Sequence, residues 1–538
     1  MNRRALLRLA PHAAFAPVVR LADAAPEALP LPKILYSNDT TNIMSCTAPW
    51  RDRKAGLRDE DLRQTIREAA GVDVHLLQPG LGWIPWWKSS LYSAESHYQD
   101  FLGSFGPVKP NSVGRYLLAR GDLVNTLAEE CGNQRILPFV SYRLNDGHHV
   151  RSLKAALADG KPDQSMSRFY WENYPTCRVG PDPTNWDEGV LDWSFPKVRQ
   201  NKEDLITELC RTHAFAGLEL DFLRHWIRFS PERSTPDERR TITTEFVRRI
   251  RIALDESQWN GHRRWLGVRV PADLDIHPEQ GVDLTALVRE AGIDFVNLSH
   301  TYFTIQDDSV RRARALIPDT PIYLEMTHTT LTGKALAGSG TQPYLRTTAE
   351  QFYTTAHLAY EQGATGLSLF NFAYYREHSH PELGPFSEPP FEILPKLKDR
   401  EFLARQPQWY FLTEARRDLV LKNLPLPSLV QRDEPARFQL HLAPTAFHQK
   451  DGLLRFRSSE SIADRGIEVR LNSTTVKPTA FVAKPIDHPY DAWLGLPEEH
   501  ACFSVPRELI RPGENDIEFR LTKGIRVKLI YLDLTLPI

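Results

Sequence analysis

The chain has 538 residues, 41% of them hydrophobic and 25% charged, which is enough apolar material for one large core plus a smaller companion domain and excludes a disordered tail protein. Lys and Arg total 66 against 68 Asp and Glu, a formal charge of -2, so no global field draws nucleic acid or an anionic membrane. Cys46, Cys131, Cys177, Cys210 and Cys502 are scattered without CxxC spacing, which excludes a zinc cage and a dense disulfide framework and reads as buried free thiols.

In chain order, the first 30 residues place Arg3 and Arg4 before an Ala/Leu-rich stretch that ends in Ala22-Asp23-Ala24. This A-x-A-like site resembles a bacterial export signal of the twin-arginine kind, so the mature protein is expected in the periplasm or outside the cell. The competing reading is a disordered leader that is never translocated. No window reaches the roughly 18 apolar residues of a membrane span.

Eight short β-rich runs then alternate with helix-compatible segments: KILYSN (33–38), VDVHLLQ (72–78), RILPFVSYRL (135–144), GLELDF (217–222), WLGVRVP (265–271), DFVNLSH (294–300), PIYLEMT (321–327) and GLSLFNF (366–372). The pattern predicts an α/β fold, a (β/α)8 TIM barrel over 31–400, with an open doubly wound sheet as the runner-up. Thr235-Pro236-Asp237-Glu238 followed by Ile242, Phe246, Ile250 and Leu254 predicts a capped helix. Phe352, Ala356, Leu358, Ala359 and then Gly363 predict another. A proline-rich passage after Pro381 leads into a connection over 401–430, helical near Gln408 to Asn423. Beyond it RFQLHL, GLLRFR, GIEVRL, ACFSV, NDIEFRL and IRVKLIYLDL alternate with period two. These strands predict a smaller C-terminal β-sandwich over 431–538. The passage LIRPGENDIEFRL resembles the late strands of jelly-roll modules of the galactose-binding type.

In such a barrel the working face lies at the C-terminal ends of the strands. In GLELDF, Leu218, Leu220 and Phe222 share the outward parity and send Glu219 and Asp221 inward. Arg269 points inward on the neighbouring strand, and Arg143 does likewise on strand three. The deeper Glu219 is expected in a salt bridge with Arg269, and Asp221, nearer the rim, is expected to meet substrate. In PIYLEMTH, Tyr323, Glu325 and Thr327 face in, with His328 following. Two carboxylates from separated strands entering one mouth are what glycosidic bond cleavage needs, one to protonate the leaving oxygen and one as nucleophile or water activator. Asp221 and Glu325 are therefore the expected catalytic pair.

Polar groups in the predicted top loops complete the expected substrate site: Asn38 and Asp39 in loop one, Asn145, Asp146 and His148 in RLNDGHH, Arg224 and His225 after strand four, and Asn297, Tyr302 and Asn371 on later strands and loops. Trp83, Trp86 and Trp87 in loop two and Trp171 in the long insertion over roughly 150–195 are expected to stack on sugar faces. That insertion also holds Phe169, Tyr170, Tyr174, Trp186 and Trp193. The paired histidines lack metal-ligand spacing. GxGxxG, the P-loop, HExxH and GxSxG are all missing, so no cofactor and no metal is expected.

The stretch LDWSFPKVRQNKEDLITELC followed by AGLELDFLRHW resembles glycosyl-hydrolase-like barrels described as family-10-like or alpha-amylase-superfamily-like. Gly217, Asp221 and Arg224 stand where that pattern has a glycine, a strand-ending Asp and a nearby Arg, and the resemblance spans approximately 33 to 400. It implies a glycoside hydrolase acting on an oligo- or polysaccharide. Retaining members of the largest barrel clan end strand four in Asn-Glu where this chain has Leu220-Asp221, which leaves open whether Asp221 is acid/base or nucleophile. A catalytically silent carbohydrate-binding protein is the alternative.

Overall fold

The computed structural model describes residues 31–538 apart from 39–42, 44–47, 53, 81–83, 332–344, 378–388, 416–419 and 487–494. The leader, Asp39 and Trp83 lie outside the described residues.

Strands β1 (Ile34–Asn38), β2 (Val74–Leu77), β3 (Leu137–Arg143), β4 (Gly217–Asp221), β5 (Trp265–Pro271), β6 (Phe295–Ser299), β7 (Ile322–Met326) and β8 (Gly366–Phe370) fall inside the eight runs read from the sequence. They close into a parallel barrel in the order β1-β8-β7-β6-β5-β4-β3-β2. Burial on both faces explains why they are rich in apolar and β-branched residues, interrupted by inward charges such as Glu219, Asp221, Arg269 and Glu325. The surrounding helices include α1 (Asp59–Glu68), α2 (Leu123–Gln134), α3 (Val150–Asp159), α4 (Arg168–Cys177), α5 (Pro196–Thr212), α6 (Pro236–Asp255), α7 (Leu284–Arg289), α8 (Ser309–Leu316) and α9 (Ala349–Glu361). At the start of α6 the Glu238 backbone N–H donates to Thr235 Oγ1 and the Thr235 N–H donates to Glu238 Oε2, so two orphan donors are satisfied reciprocally. Phe246, Ile250 and Leu254 carry its buried face.

The lower barrel interior is filled by rings. Phe139, Phe295 and Tyr323 cluster with Leu35, Val74 and Leu76, and the Phe295 and Tyr323 rings meet edge to face at 5.7 Å. Each ring is in register with a glycine on the next strand: Phe139 with Gly217, Phe295 with Gly267 and Tyr323 with Gly366. A Cβ at Gly217 or Gly267 would collide with the facing ring, so large and small residues alternate around the floor.

The C-terminal sandwich has two antiparallel sheets. Its strands are β9 (Gln408–Thr413), β10 (Ser428–Gln431), β11 (Ala436–Leu442), β12 (Gly452–Ser458), β13 (Gly466–Leu471), β14 (Thr474–Thr475), β15 (Lys477–Thr479), β16 (His500–Val505), β17 (Gly513–Lys523) and β18 (Arg526–Leu536). One sheet runs β9-β18-β12-β16-β15, with β10 also on β18, and the other runs β11-β17-β13-β14. The segment read as helical from Gln408 carries β9 instead. All six residues of β9 are buried, which removes the alternation that identifies a half-exposed strand. On one side β9 faces the barrel. Gln306 donates to Trp409 O at 3.1 Å and accepts from Phe411 N at 3.0 Å, and Trp409 N donates to Thr354 Oγ1 at 2.7 Å. Among the described residues no helix is long and apolar enough to cross a membrane.

Candidate active site

Burying a carboxylate in a barrel is costly unless charge and hydrogen bonds meet it. Above the ring floor the structure meets that cost with Arg269 of β5. Its Nε donates to Glu325 Oε2 and its Nη2 to Glu325 Oε1, both at 2.6 Å, while Nη1 donates to Asp221 Oδ1 at 3.1 Å. Ser299 Oγ adds a 2.5 Å bond to Glu325 Oε1, and Asn297 Nδ2 lies 3.5 Å from Oε2. Glu325 is thus gripped by a guanidinium fork and two neutral donors. Asp221 Oδ1 also accepts from the backbone N–H groups of Leu223 and Arg224. Its Oδ2 meets only Gln78 Nε2, at 3.4 Å, among the hydrogen bonds described.

The expected salt bridge between Glu219 and Arg269 is corrected. The guanidinium bonds to Asp221 and Glu325, whereas Glu219 accepts from Ser141 Oγ at 2.6 Å and Asn297 Nδ2 at 2.9 Å. With neutral hydrogen-bond donors, Glu219 is pushed up to about 7 by burial, against the pull of Ser141 and the more distant Arg269 charge. Burial works against the charge on Arg269, but Glu325 and Asp221 outweigh it and raise its pKa.

At the rim, Arg143 Nη1 donates to Asp146 Oδ2 at 2.9 Å and Nη2 to Gln78 Oε1 at 2.5 Å. Asp146 Oδ1 takes His148 Nδ1 at 2.5 Å. Arg224 bridges His148 Nε2 at 2.5 Å and Tyr302 OH at 2.7 Å. Because Arg224 donates to Nε2, the ring proton sits on Nδ1 and points at Asp146. Against the cost of burial, His148, Arg143 and Arg224 hold Asp146 well below the usual carboxylate range. Thr301, just past β6, has φ 64, a left-handed conformation that disfavours a β-branched residue, and its N–H is tied to Ser299 Oγ at 2.9 Å.

The structure therefore brings Asp221, Glu325, Arg269, Arg143, Asp146, His148, Arg224 and Tyr302 into one connected network. Other expected site residues lie elsewhere. Trp86 and Trp87 are buried in the core, at 0% and 4% exposure, and offer no face to a sugar; the Gly/Pro-rich loop folds them inward. Tyr323 faces into the barrel but sits in its floor, its hydroxyl donating to Pro32 O. Asn297 belongs to the buried layer below the rim. Asn145 holds loops together through bonds to Ile227 O and Leu191 O. His328 is buried against Tyr374, and Asn38 and Asn371 are buried at the ends of β1 and β8. Trp171 is half-buried against Phe105 and Tyr174.

His225 is buried and lies 3.4 Å from Asp187. Burial lowers its pKa to about 3. Its ring packs on Trp186, which also carries the Arg151 guanidinium 4.7 Å from its centroid and meets the edge of His148. Half-buried Trp186 reaches the rim beside His148 and His225. Gln78 and Ser299 are site residues missing from the sequence reading, although both stand inside the quoted strand runs and inward parity marks Ser299. Asp187 was hidden in the long insertion, where no periodicity points to a face.

No family model matches the chain, and no curated protein matches it. Among solved structures it aligns with the PgaB (BpsB) glycoside hydrolase domain from Bordetella bronchiseptica at 12% identity, covering 66% of this chain and 97% of that one, with a TM-score of 0.39. It aligns with an alpha-amylase from Anoxybacillus at 12% identity over 91% and 98% of the two chains, TM-score 0.36. A class V chitinase from Pseudomonas fluorescens Pf-5 aligns at 13% identity over 63% and 94%, TM-score 0.33. Alignments this distant transfer no activity; the chain is a (β/α)8 barrel with a C-terminal β-sandwich on the strength of its own strand order.

Proposed function

We propose that the barrel mouth binds an oligo- or polysaccharide and hydrolyses a glycosidic bond, with Asp221 as the nucleophile or the base. The observation that carries this reading is the holding of Asp221 at the C-terminal end of β4. Two backbone N–H groups and Arg269 fix one oxygen, and among the described residues the other meets a long amide contact alone. A carboxylate oriented in this way at a barrel mouth suits attack on, or water activation at, an anomeric carbon. Glu325, with its acceptor positions occupied, orients Arg269. The proton donor we assign to Asp187, which borders Trp186 and His225, is half-exposed, and has its pKa raised by burial and by Glu188. Retention of the fold with loss of reducing-end release in Asp221→Asn, across a panel of polysaccharides, is the expected result. Wild-type turnover in that variant would overturn the assignment.

One observation favours the second reading, a sugar-binding barrel without hydrolysis: Asp221 and Glu325 are both 1% exposed and share one guanidinium, an arrangement that also serves as a buried structural ion cluster. Binding of oligosaccharide without any release of reducing ends by the wild-type protein decides for it.

A further inference from the structure

A cavity of about 350 Å³ borders the far part of the loop that carries Asp146. Its walls include the rings of Tyr92, Phe169 and Tyr170, and its polar lining includes Lys202 of α5, His149 and Asp146. His149 is 7% exposed, packs its ring on Tyr170 at 3.8 Å, and leaves Nε2 buried without a hydrogen-bond partner among the described residues. An orphaned donor or acceptor of this kind in a folded protein calls for an explanation. Lys202 is half-buried, and its closest described interaction is with the Tyr142 ring, 6.0 Å from Nζ to the centroid. Among the described residues it has no ion pair or hydrogen bond.

The charges on the pocket decide what fits it. Asp146 favours the Lys202 charge through space but makes no described hydrogen bond to it, since its oxygens already receive Arg143 Nη1 at 2.9 Å, His148 N at 2.8 Å and His148 Nδ1 at 2.5 Å. Glu172 and Asp204 border the pocket as exposed residues, where solvent screens them. The N-terminus of α4, its N-cap Ser167 and the residues Arg168 to Tyr170, borders the pocket with the positive end of its dipole. Burial lowers Lys202 to about 8, so the amine still carries its charge at neutral pH. The interior of the pocket thus offers an ammonium group and an imidazole nitrogen between aromatic walls, with its own anion already engaged.

We propose that this pocket is a second ligand site, distinct from the mouth, that takes the carboxylate of a sugar acid, with Lys202 Nζ and His149 Nε2 on the carboxylate and the half-buried rings of Tyr92 and Phe169 against the sugar ring. The choice of a sugar over other ring carboxylates rests on the reading of the mouth as a carbohydrate site. A charge-assisted bond from an ammonium is the stronger of the two contacts, and the aromatic walls supply the apolar contact that a hexose face needs.

The test is a ligand-detected NMR titration of the full chain with glucuronate, glucose and benzoate. Glucuronate is expected to bind at least tenfold more tightly than either of the others. Lys202→Met is expected to lose at least tenfold in glucuronate affinity, Lys202→Arg to keep most of it, and affinity is expected to fall with added salt. His149→Phe keeps the ring on Tyr170 and removes the nitrogen, so it provides a second variant, expected to lose severalfold. Glucose binding as tightly as glucuronate overturns the carboxylate, and benzoate doing so overturns the sugar. Unchanged glucuronate affinity in folded Lys202→Met or His149→Phe overturns the site. Asp221→Asn is expected to leave glucuronate binding unchanged, so failure of hydrolysis at the mouth and failure of this pocket are read from different variants.

Discussion

Three carboxyl groups lie around Arg269, two of them share its guanidinium, and the geometry sorts them. Asp221 and Glu325 are hydrogen-bonded to it, whereas Glu219 has only Ser141 and Asn297. A carboxyl raised from 4.5 to about 7 in the folded chain holds a proton there that the unfolded chain has already lost. Its contribution to stability is therefore greatest below pH 4.5 and declines as pH rises through 7. Glu219→Gln mimics the protonated form, because Ser141 Oγ accepts as well as donates. The variant is expected to match the wild-type melting temperature near pH 4.5 and to exceed wild-type stability by about 1–3 kcal/mol near pH 8, measured by thermal melts across that range. At the mouth, Asp187→Asn is expected to cut turnover by about 10²–10⁴ on natural glycosides, and far less on aryl glycosides whose leaving group needs no proton. Equal losses on both substrates would remove Asp187 from the role of acid. Inward parity was legible in the sequence for Glu219, Asp221, Arg269 and Glu325. Depth was legible within a strand, as for Glu219 below Asp221, but the level of the floor was not: Tyr323 has the parity of Glu325 yet sits in it, because alternation says which side a residue faces and nothing of how the strands are staggered.

At the scale of elements, all eight barrel strands were legible, since parallel strands covered on both faces leave runs rich in apolar and β-branched residues between turn residues, even where an inward charge interrupts them. Strand β9 was not, for it carries the same double burial but follows a proline-rich passage and lies next to a segment compatible with helix. The loop holding Trp86 and Trp87 shows the same limit from the other side. A Gly/Pro-rich composition marks irregular backbone and is silent on whether its rings point to solvent or to the core. The pairing of ring and glycine in register across neighbouring strands gives the floor a sharp test. Gly267→Ala places a methyl against the Phe295 ring, which has Phe139, Trp265 and Tyr323 around it and little room to yield. A loss of about 1–3 kcal/mol is expected in chemical denaturation. Gly132, where a Cβ would meet nothing within 4 Å, is the control: Gly132→Ala in helix α2 is expected to be neutral or stabilising.

On the scale of the whole molecule, the sandwich is joined to the barrel through polar groups as well as apolar packing. Gln306 of the barrel sits between Trp409 O and Phe411 N like a short extra strand, and its amide also donates to Thr355. Gln306→Ala leaves those strand groups without their partner in a buried place, which costs about 1–3 kcal/mol for each group. Calorimetry is expected to show a lower melting temperature, with the sandwich and barrel transitions drawn apart. The ring floor has a further consequence. Rings matched to glycines, with Tyr323 sealed to Pro32, make the barrel a cup rather than a tube. Whatever enters over the Arg224 and Tyr302 rim must leave over it, and the proton that Glu219 exchanges has no exit below. In a vessel with one opening, the hydrolysis we propose would leave its fragment at the mouth in the way of the next chain, so inhibition by product that competes with substrate is the expected kinetic form, checked by initial rates with added product.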